Sequence, residues 1–308
     1  MSKTLTIRYT SDTHGYLYPT SYADMQDRPM GLMKLASEYP HDGNTLIIDG
    51  GDTIQGSPLT NLYQRLSPEE KAACLTEDTY GTHPIAAMMN LAGYQFVTLG
   101  NHDFNYGVDA LLDYLTNLDA LCLCANIRDK EGRLPIAPYA VHQLENGLRV
   151  GLVGVCTHFV RRWENPKTVE QLVIEEPVPA AKAALEAVKP LCDLTVLIYH
   201  GGFECDLETG KPLTASAENQ ACRMCRELDF DLVLTGHQHM CVDGVHFGNS
   251  FAVQPAYRAP HCCGVTVTVE DDGSKRFESR IIPADGRPLE SAYNLLMPLE
   301  KRVQTWLD

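Results

Sequence analysis

Short apolar, β-branched runs alternate with helically spaced stretches along most of this 308-residue chain. That alternation calls for parallel strands joined by helices, because a parallel pair cannot be closed by a tight turn. The runs 5–11, 45–49, 95–99, 121–125, 149–156, 194–199 and 231–235 read as strands. Between them, 31–39, 82–93, 108–118, 178–189 and 216–228 carry apolar residues at helical spacing. Asp109 and Asp113 lie early in one of these, where a helix dipole favours negative charge. From 245 onward the runs GNSFAVQPAYR, CCGVTVTVE and KRFESRIIP read as strands, with an EDDG turn between the last two, and predict a β-rich second half of a sandwich. The tail 288–307 reads as a helix despite Pro298. Residues 60–83 and 157–177 are the longest surface excursions expected.

Composition narrows the function. At 44% hydrophobic residues the chain can bury a large core, and its length suits one large α/β domain. A formal charge of -15 argues against a groove for a nucleic-acid polymer, which clustered Lys and Arg would have to line. Any anion bound here must be drawn by local positive charge, and divalent cations would supply it. No window approaches the ~18 apolar residues of a membrane span, and the N-terminus MSKTLTIRYTSD lacks the pattern of a leader. Eleven cysteines, an odd number in no small-scaffold framework, fit reduced thiols. The expected location is therefore cytoplasmic, with an exported parent protein that lost its leader as the alternative. Cys222-x-x-Cys225 lies in the expected helix 216–228 without a second such pair, and reads as structural.

Five expected strands end in residues suited to metal binding, at the edge where open α/β sheets bind ligands. The first ends in Ser11-Asp12-Thr13-His14-Gly15, the second in Asp49-Gly50-Gly51-Asp52, and the third in Gly100-Asn101-His102-Asp103. The sixth gives Tyr199-His200-Gly201-Gly202 and the seventh Thr235-Gly236-His237-Gln238-His239. One such cluster is ordinary turn chemistry. Five on one edge make a site. Asp12, His14 and His239 can hold one metal, Asn101, His200 and His237 a second, and Asp52 can bridge both through its two oxygens. Such a bridge keeps ions ~3.5–4 Å apart, as in-line displacement at phosphorus requires. Imidazole, carboxylate and amide oxygen together suit two divalent ions of Mn, Zn, Fe or Co.

The segments DTHG, GGDTIQGSP, LGNHDFNYG, YHGG and TGHQH, in this order, resemble the calcineurin-like metallophosphoesterases. Among these the sequence is most similar to the bacterial 5′-nucleotidase and 2′,3′-cyclic-nucleotide phosphodiesterase branch, from about Thr4 to the final helix. The resemblance implies a four-layer α/β/β/α sandwich, two mixed sheets flanked by helices. It also implies a catalytic domain over 1–287, with 288–308 starting a linker toward a separate nucleotide-binding domain. Asp12, His14, Asp52, Asn101, His200, His237 and His239 fall on the family's metal ligands. Asn101 and His102 then lie at the reacting centre, and His102 falls on the histidine that contacts the phosphoryl group and helps the leaving oxygen depart.

One departure selects a substrate class. In 5′-nucleotidases the residue three after this histidine is commonly aspartate, and here it is Asn105. An amide can orient an imidazole but does not stabilise its protonated form by charge, so His102 is expected to be the weaker acid–base group. Phe104-Asn105-Tyr106-Gly107, Gly56-Ser57-Pro58 and Ala217-Glu218-Asn219 resemble the cyclic-nucleotide members instead. The expected reaction is hydrolysis of 2′,3′-cyclic nucleotides and 3′-nucleotides by a hydroxide held between two cations, with His102 assisting. A 5′-nucleotidase, another small phosphomonoester or sulfur-ester hydrolase, and a non-catalytic scaffold of the same fold are the rivals. Arg161, Arg162 and Trp163 follow the strand 149–156 and, with Asn105, are candidates to contact phosphate and base, against the favoured reading of a solvated loop with one buried anchor.

Overall fold

The computed structural model describes residues 2–75 and 81–308. Two mixed sheets stack face to face. The seven-stranded sheet runs Lys275–Pro283, His261–Val269, Lys3–Thr10, Thr45–Asp49, Phe96–Val97, Leu121–Leu123, Ile136–Ala137. Its last five strands are mutually parallel, and His261–Val269 runs antiparallel to both of its neighbours. The six-stranded sheet runs Cys241–Phe247, Ser250–Pro255, Leu232–Thr235, Leu194–His200, Arg149–Cys156, Tyr139–Gln143. Only its two outer strands are antiparallel to their neighbours.

The alternation of side chains along each strand builds the layers. Leu5, Ile7, Tyr9, Leu46 and Ile48 from one sheet meet Val150, Leu152, Val196, Ile198, Leu232 and Leu234 from the other in a buried core. The intervening Ile47 and Val97 point outward to helices that include Leu32–Ala36, Pro84–Leu91 and Val108–Thr116. On the far side, Val153, Val155, Leu197, Tyr199 and Val233 pack on the helices Pro177–Val188 and Ala221–Glu227. Because both faces of each sheet are covered, the central strands read as continuous apolar runs. The result is the four-layer α/β/β/α sandwich expected.

Three features differ from the sequence reading. The strands after 245 do not form a separate half: the hairpin Cys241–Phe247/Ser250–Pro255 extends the six-stranded sheet, and His261–Val269/Lys275–Pro283 extends the seven-stranded one. Each hairpin covers one open edge, and the chain crosses between sheets at 256–260. The excursion 60–83 contains the helices Pro58–Arg65 and Pro68–Ala72, each with proline at its start and a serine cap, Ser57 or Ser67. Residues 76–80 of that excursion lie outside the described residues. Finally, Cys205 and Cys222 form a disulfide, which corrects the expectation that every thiol is reduced. The irregular path of 201–220 brings the pair together, and no spacing rule in the sequence signals it.

The tail forms the helix Glu290–Leu307, with Ala292, Leu296, Leu299 and Val303 buried in the outer core. It packs on Pro58–Arg65 and Pro84–Leu91 as part of the same body. Among the described residues, no helix is long and apolar enough to cross a membrane.

Candidate metal centre

The parallel strands of both sheets deliver their C-terminal ends to one rim, and the turns there are strained. Asp12, His14, Asp52, His237 and His239 all have left-handed backbones, with φ between 49° and 71°. Such a conformation costs an L-residue roughly 1–2 kcal/mol, so five together persist only where the surroundings fix them. Glycine lets two of these turns touch. A Cβ on Gly51 would lie 2.3 Å from the Gly100 amide nitrogen, and one on Gly100 would lie 2.1 Å from Asp52 Oδ1.

Asp103 fastens the same two turns. Its Oδ1 accepts from the amides of Thr53 and Ile54 at 2.8 and 3.0 Å, and its Oδ2 from those of Asp52 and Gly100 at 2.9 and 2.8 Å. Burial and the nearby Asp52 push the Asp103 carboxyl up, and the amides pull against that. Asp49, one turn earlier, accepts from Thr10, Thr53 and the Gly51 amide, and burial pushes its carboxyl up to about 7.

Two groups of ligating atoms result. Asp12, His14 and His239 place theirs within 4.8 Å of one another, and so do Asp52, His200 and His237. Asp52 Oδ2 stands between the groups, 3.2 Å from His200 Nε2 and 4.0 Å from His14 Nε2. Its Oδ1 accepts from the His102 amide at 2.7 Å. In the first group His239 Nε2 lies 3.5 Å from Asp12 Oδ1 and 3.2 Å from His14 Nε2.

The donor set fits divalent cations on the structure's own terms. His14 Nδ1 faces the Gln55 carbonyl at 2.8 Å and His200 Nδ1 the Gly50 carbonyl at 2.7 Å. A carbonyl only accepts, so each Nδ1 carries the proton and each Nε2 presents a lone pair. His200 Nε2 and Asn101 Oδ1 are buried without a hydrogen-bond partner among the described residues. His237 Nε2 is paired with Glu218 Oε1 at 2.8 Å, leaving Nδ1 as its ligating nitrogen. Burial works against charge at both Asp52 and His200. Even so, the imidazoles of His200, His14 and His102 hold the Asp52 carboxyl well below its usual range, while Asp52 and Asp12 raise His200 to about 10. That ion pair describes the metal-free protein, in which a proton serves where a cation would.

A family model described as calcineurin-like phosphoesterase matches residues 5–241. The chain belongs to the calcineurin-like phosphoesterases. It is 28% identical to the trifunctional nucleotide phosphoesterase protein YfkN of Bacillus subtilis over 250 residues, covering 76% of this chain and 16% of that protein. It is 25% identical to the 2′,3′-cyclic-nucleotide 2′-phosphodiesterase/3′-nucleotidase of Salmonella typhimurium, covering 94% of this chain and 46% of that protein. The chain thus spans less than half the length of either relative. Its fold matches the structure of a candidate 5′-nucleotidase from Staphylococcus aureus with a TM-score of 0.84 at 28% identity, over 99% of this chain and 59% of that one. Membership makes this a metal-dependent phosphoesterase fold with nucleotidase and phosphodiesterase homologues.

Around the phosphoesterase centre, the expected substrate-side residues divide. The His102 ring lies 5.4 Å from that of His14, and its Nδ1 meets Asn105 Oδ1 at 2.8 Å. Trp163 stacks on His237 with centroids 5.5 Å apart and remains 47% exposed, so a face is open to a ligand. Arg161 and Arg162, candidates for phosphate, have other partners. Arg161 donates to the Ile174 carbonyl, and the Arg162 guanidinium lies 4.6 Å over the Phe159 ring.

The sequence reading gave no role to six residues now at the site. Asp103 follows His102 directly, and Glu218 sits in the Ala217-Glu218-Asn219 segment, so both had a signal nearby. Asn219 pins the other end of that segment by accepting from the Gly202 amide at 2.7 Å. Tyr257 lies flat on His239 at 4.3 Å, and Arg258, whose amide donates to the Asp12 carbonyl at 2.8 Å, holds its guanidinium over Tyr16 and Tyr257. Glu164 accepts from Asn105 Nδ2 at 2.7 Å, across 59 residues of sequence.

Proposed function

We propose that this domain hydrolyses phosphate esters of small nucleotides, acting on 2′,3′-cyclic nucleotides and 3′-nucleotides ahead of 5′-nucleotides. The observation that carries the reading is the pair of ligand groups with Asp52 between them, beside a His102 held by an asparagine. The name of the Salmonella relative supports the cyclic substrate, and that of a Vibrio parahaemolyticus relative, 5′-nucleotidase, supports the alternative.

Asp12, His14 and His239 would hold one divalent ion, and Asn101, His200 and His237 the other, with Asp52 serving both. The mixed nitrogen and oxygen donors suit Mn, Zn, Fe or Co. Two such ions supply Lewis-acid activation of water and neutralisation of the phosphoryl oxygens. The remaining work falls to the chain. Gln55 and Gly50 carbonyls keep His14 and His200 in the ligating tautomer, Glu218 orients His237, and Asp103 holds the Asp52 and Asn101 turns in register. His102, through Nε2, gives a proton to the leaving oxygen as its bond to phosphorus breaks. Trp163 flanks the centre and offers an exposed aromatic face to the base.

The test is turnover of 2′,3′-cyclic AMP, 3′-AMP, 5′-AMP and bis-p-nitrophenyl phosphate by purified protein reconstituted with Mn²⁺. The first two should be hydrolysed with higher kcat/KM than 5′-AMP. Turnover of 5′-AMP alone overturns the substrate assignment, and failure to bind any divalent ion overturns the enzyme reading.

A further inference from the structure

Glu164 lies at the end of the short helix Val160–Trp163, in the turn that places Trp163 over His237. Its amide donates to the Val160 carbonyl at 3.0 Å, and its Oε1 accepts from the Asn165 amide at 2.6 Å. The residue is therefore held at its backbone and at one carboxylate oxygen. Its free oxygen, Oε2, takes the Nδ2 of Asn105 at 2.7 Å, and Asn105 Oδ1 meets His102 Nδ1 at 2.8 Å.

The polarity of this chain follows from donor and acceptor chemistry alone. A carboxylate only accepts, so the amide NH₂ of Asn105 must face Glu164. Its carbonyl must then face the imidazole, and a carbonyl also only accepts. His102 Nδ1 is thereby obliged to carry hydrogen, which leaves Nε2 to exchange a proton with the substrate. Nothing in Asn105 itself decides this, because an amide turned by 180° fills the same space with its ends reversed. A reversed amide would present NH₂ to Nδ1 and strip it of its proton. The ring could then donate from Nε2 only by becoming an anion.

We propose that Glu164 is a positioning residue for His102: by fixing which end of Asn105 faces the ring, it keeps Nδ1 protonated so that Nε2 can serve the leaving oxygen. The proposal rests on the phosphoesterase role of His102 given above. In the step concerned, the P–O bond breaks with its electron pair on the leaving oxygen, and that oxygen takes the Nε2 proton. His102 is left as a neutral ring with hydrogen on Nδ1, the form Asn105 Oδ1 stabilises. The asparagine that weakens this site by comparison with a histidine–aspartate pair is thus backed by a carboxylate one hydrogen bond further out.

The test compares Glu164→Ala and Glu164→Gln with wild type. Ala removes the acceptor, and Gln has one carbonyl for the two donors Asn165 N–H and Asn105 Nδ2, so neither fixes which end of Asn105 faces the ring. General acid assistance contributes about 10²–10⁴-fold, and Glu164→Ala should lose at least about tenfold of that in kcat on 2′,3′-cyclic AMP, with KM nearly unchanged. The same variant should be nearly as active as wild type on bis-p-nitrophenyl phosphate, whose phenolate departs without a proton. Glu164→Gln should show the same split, losing kcat on 2′,3′-cyclic AMP and keeping it on bis-p-nitrophenyl phosphate. Independently of turnover, ¹⁵N NMR of chelated protein should find His102 protonated on Nδ1 in wild type, with that preference lost in Glu164→Ala and Glu164→Gln. His102→Ala identifies the signal. An unchanged tautomer in Glu164→Ala, or an equal loss on both substrates, overturns the proposal. Wild-type protein inactive on every nucleotide, with the tautomer following Glu164 as described, would instead refute the substrate reading alone.

Discussion

Replacing Asp103 by asparagine puts the construction of the site to a quantitative test. The carboxylate accepts four amide hydrogens, two on each oxygen, from two turns of the rim. An asparagine keeps one oxygen and turns its NH₂ toward the other pair, so two hydrogen bonds become donor-to-donor contacts in a buried place. Bonds to a charged acceptor contribute roughly 1.5–3 kcal/mol each, a gross loss of about 3–6 kcal/mol. Removing a negative charge that burial and Asp52 disfavour returns part of this, and a net loss of about 2–4 kcal/mol is expected. Against a total stability of ~5–15 kcal/mol the change is large. Urea unfolding of chelated protein, followed by circular dichroism, measures it without contribution from metal, and metal content after reconstitution measures the effect on the site. Asp103→Asn protein that loses less than ~1 kcal/mol and still binds metal as wild type would refute the fastening role.

Three substitutions separate the other roles. Asp52→Asn should lose one or both ions by elemental analysis, together with most activity, because its carboxylate stands between the two ligand groups. His102→Ala should keep both ions and lose about 10²–10⁴-fold in kcat on nucleotide substrates, and full activity would exclude His102 from the reaction. His83 offers a pH test away from the centre. Its Nδ1 accepts from the Ile85 amide, its Nε2 has no partner among the described residues, and burial holds it down at about 3. The unfolded histidine titrates near 6.5, so the unfolded chain binds the extra proton as pH falls and the native state loses stability below that value. The loss between pH 7 and pH 5 comes to about 2 kcal/mol. His83→Asn, which does not titrate, should unfold with a correspondingly flatter pH dependence; equal slopes for the two proteins would contradict the assignment.

The sequence by itself determined the layers and which residues capable of ligation end the strands. Apolar periodicity is local, and strands buried on both faces declare themselves as runs such as Leu194–His200. Strand ends are local too, which is why Asp12, His14, Asp52, Asn101, His200, His237 and His239 could be named before any of them was seen on one rim. What periodicity cannot carry is the path of a loop, and the rest of the site depends on loop paths. The turn at 160–164 engages Arg161 with the Ile174 carbonyl and Arg162 with the Phe159 ring, and brings Glu164 to Asn105. The path of 201–220 joins Cys205 to Cys222 and sets Glu218 on His237. Hydrogen bonds act over about 3 Å in space whatever the separation along the chain. Residue identity therefore fixed which atoms could bind a metal or a proton, and only the tertiary structure decided which of them met, and in which protonation state.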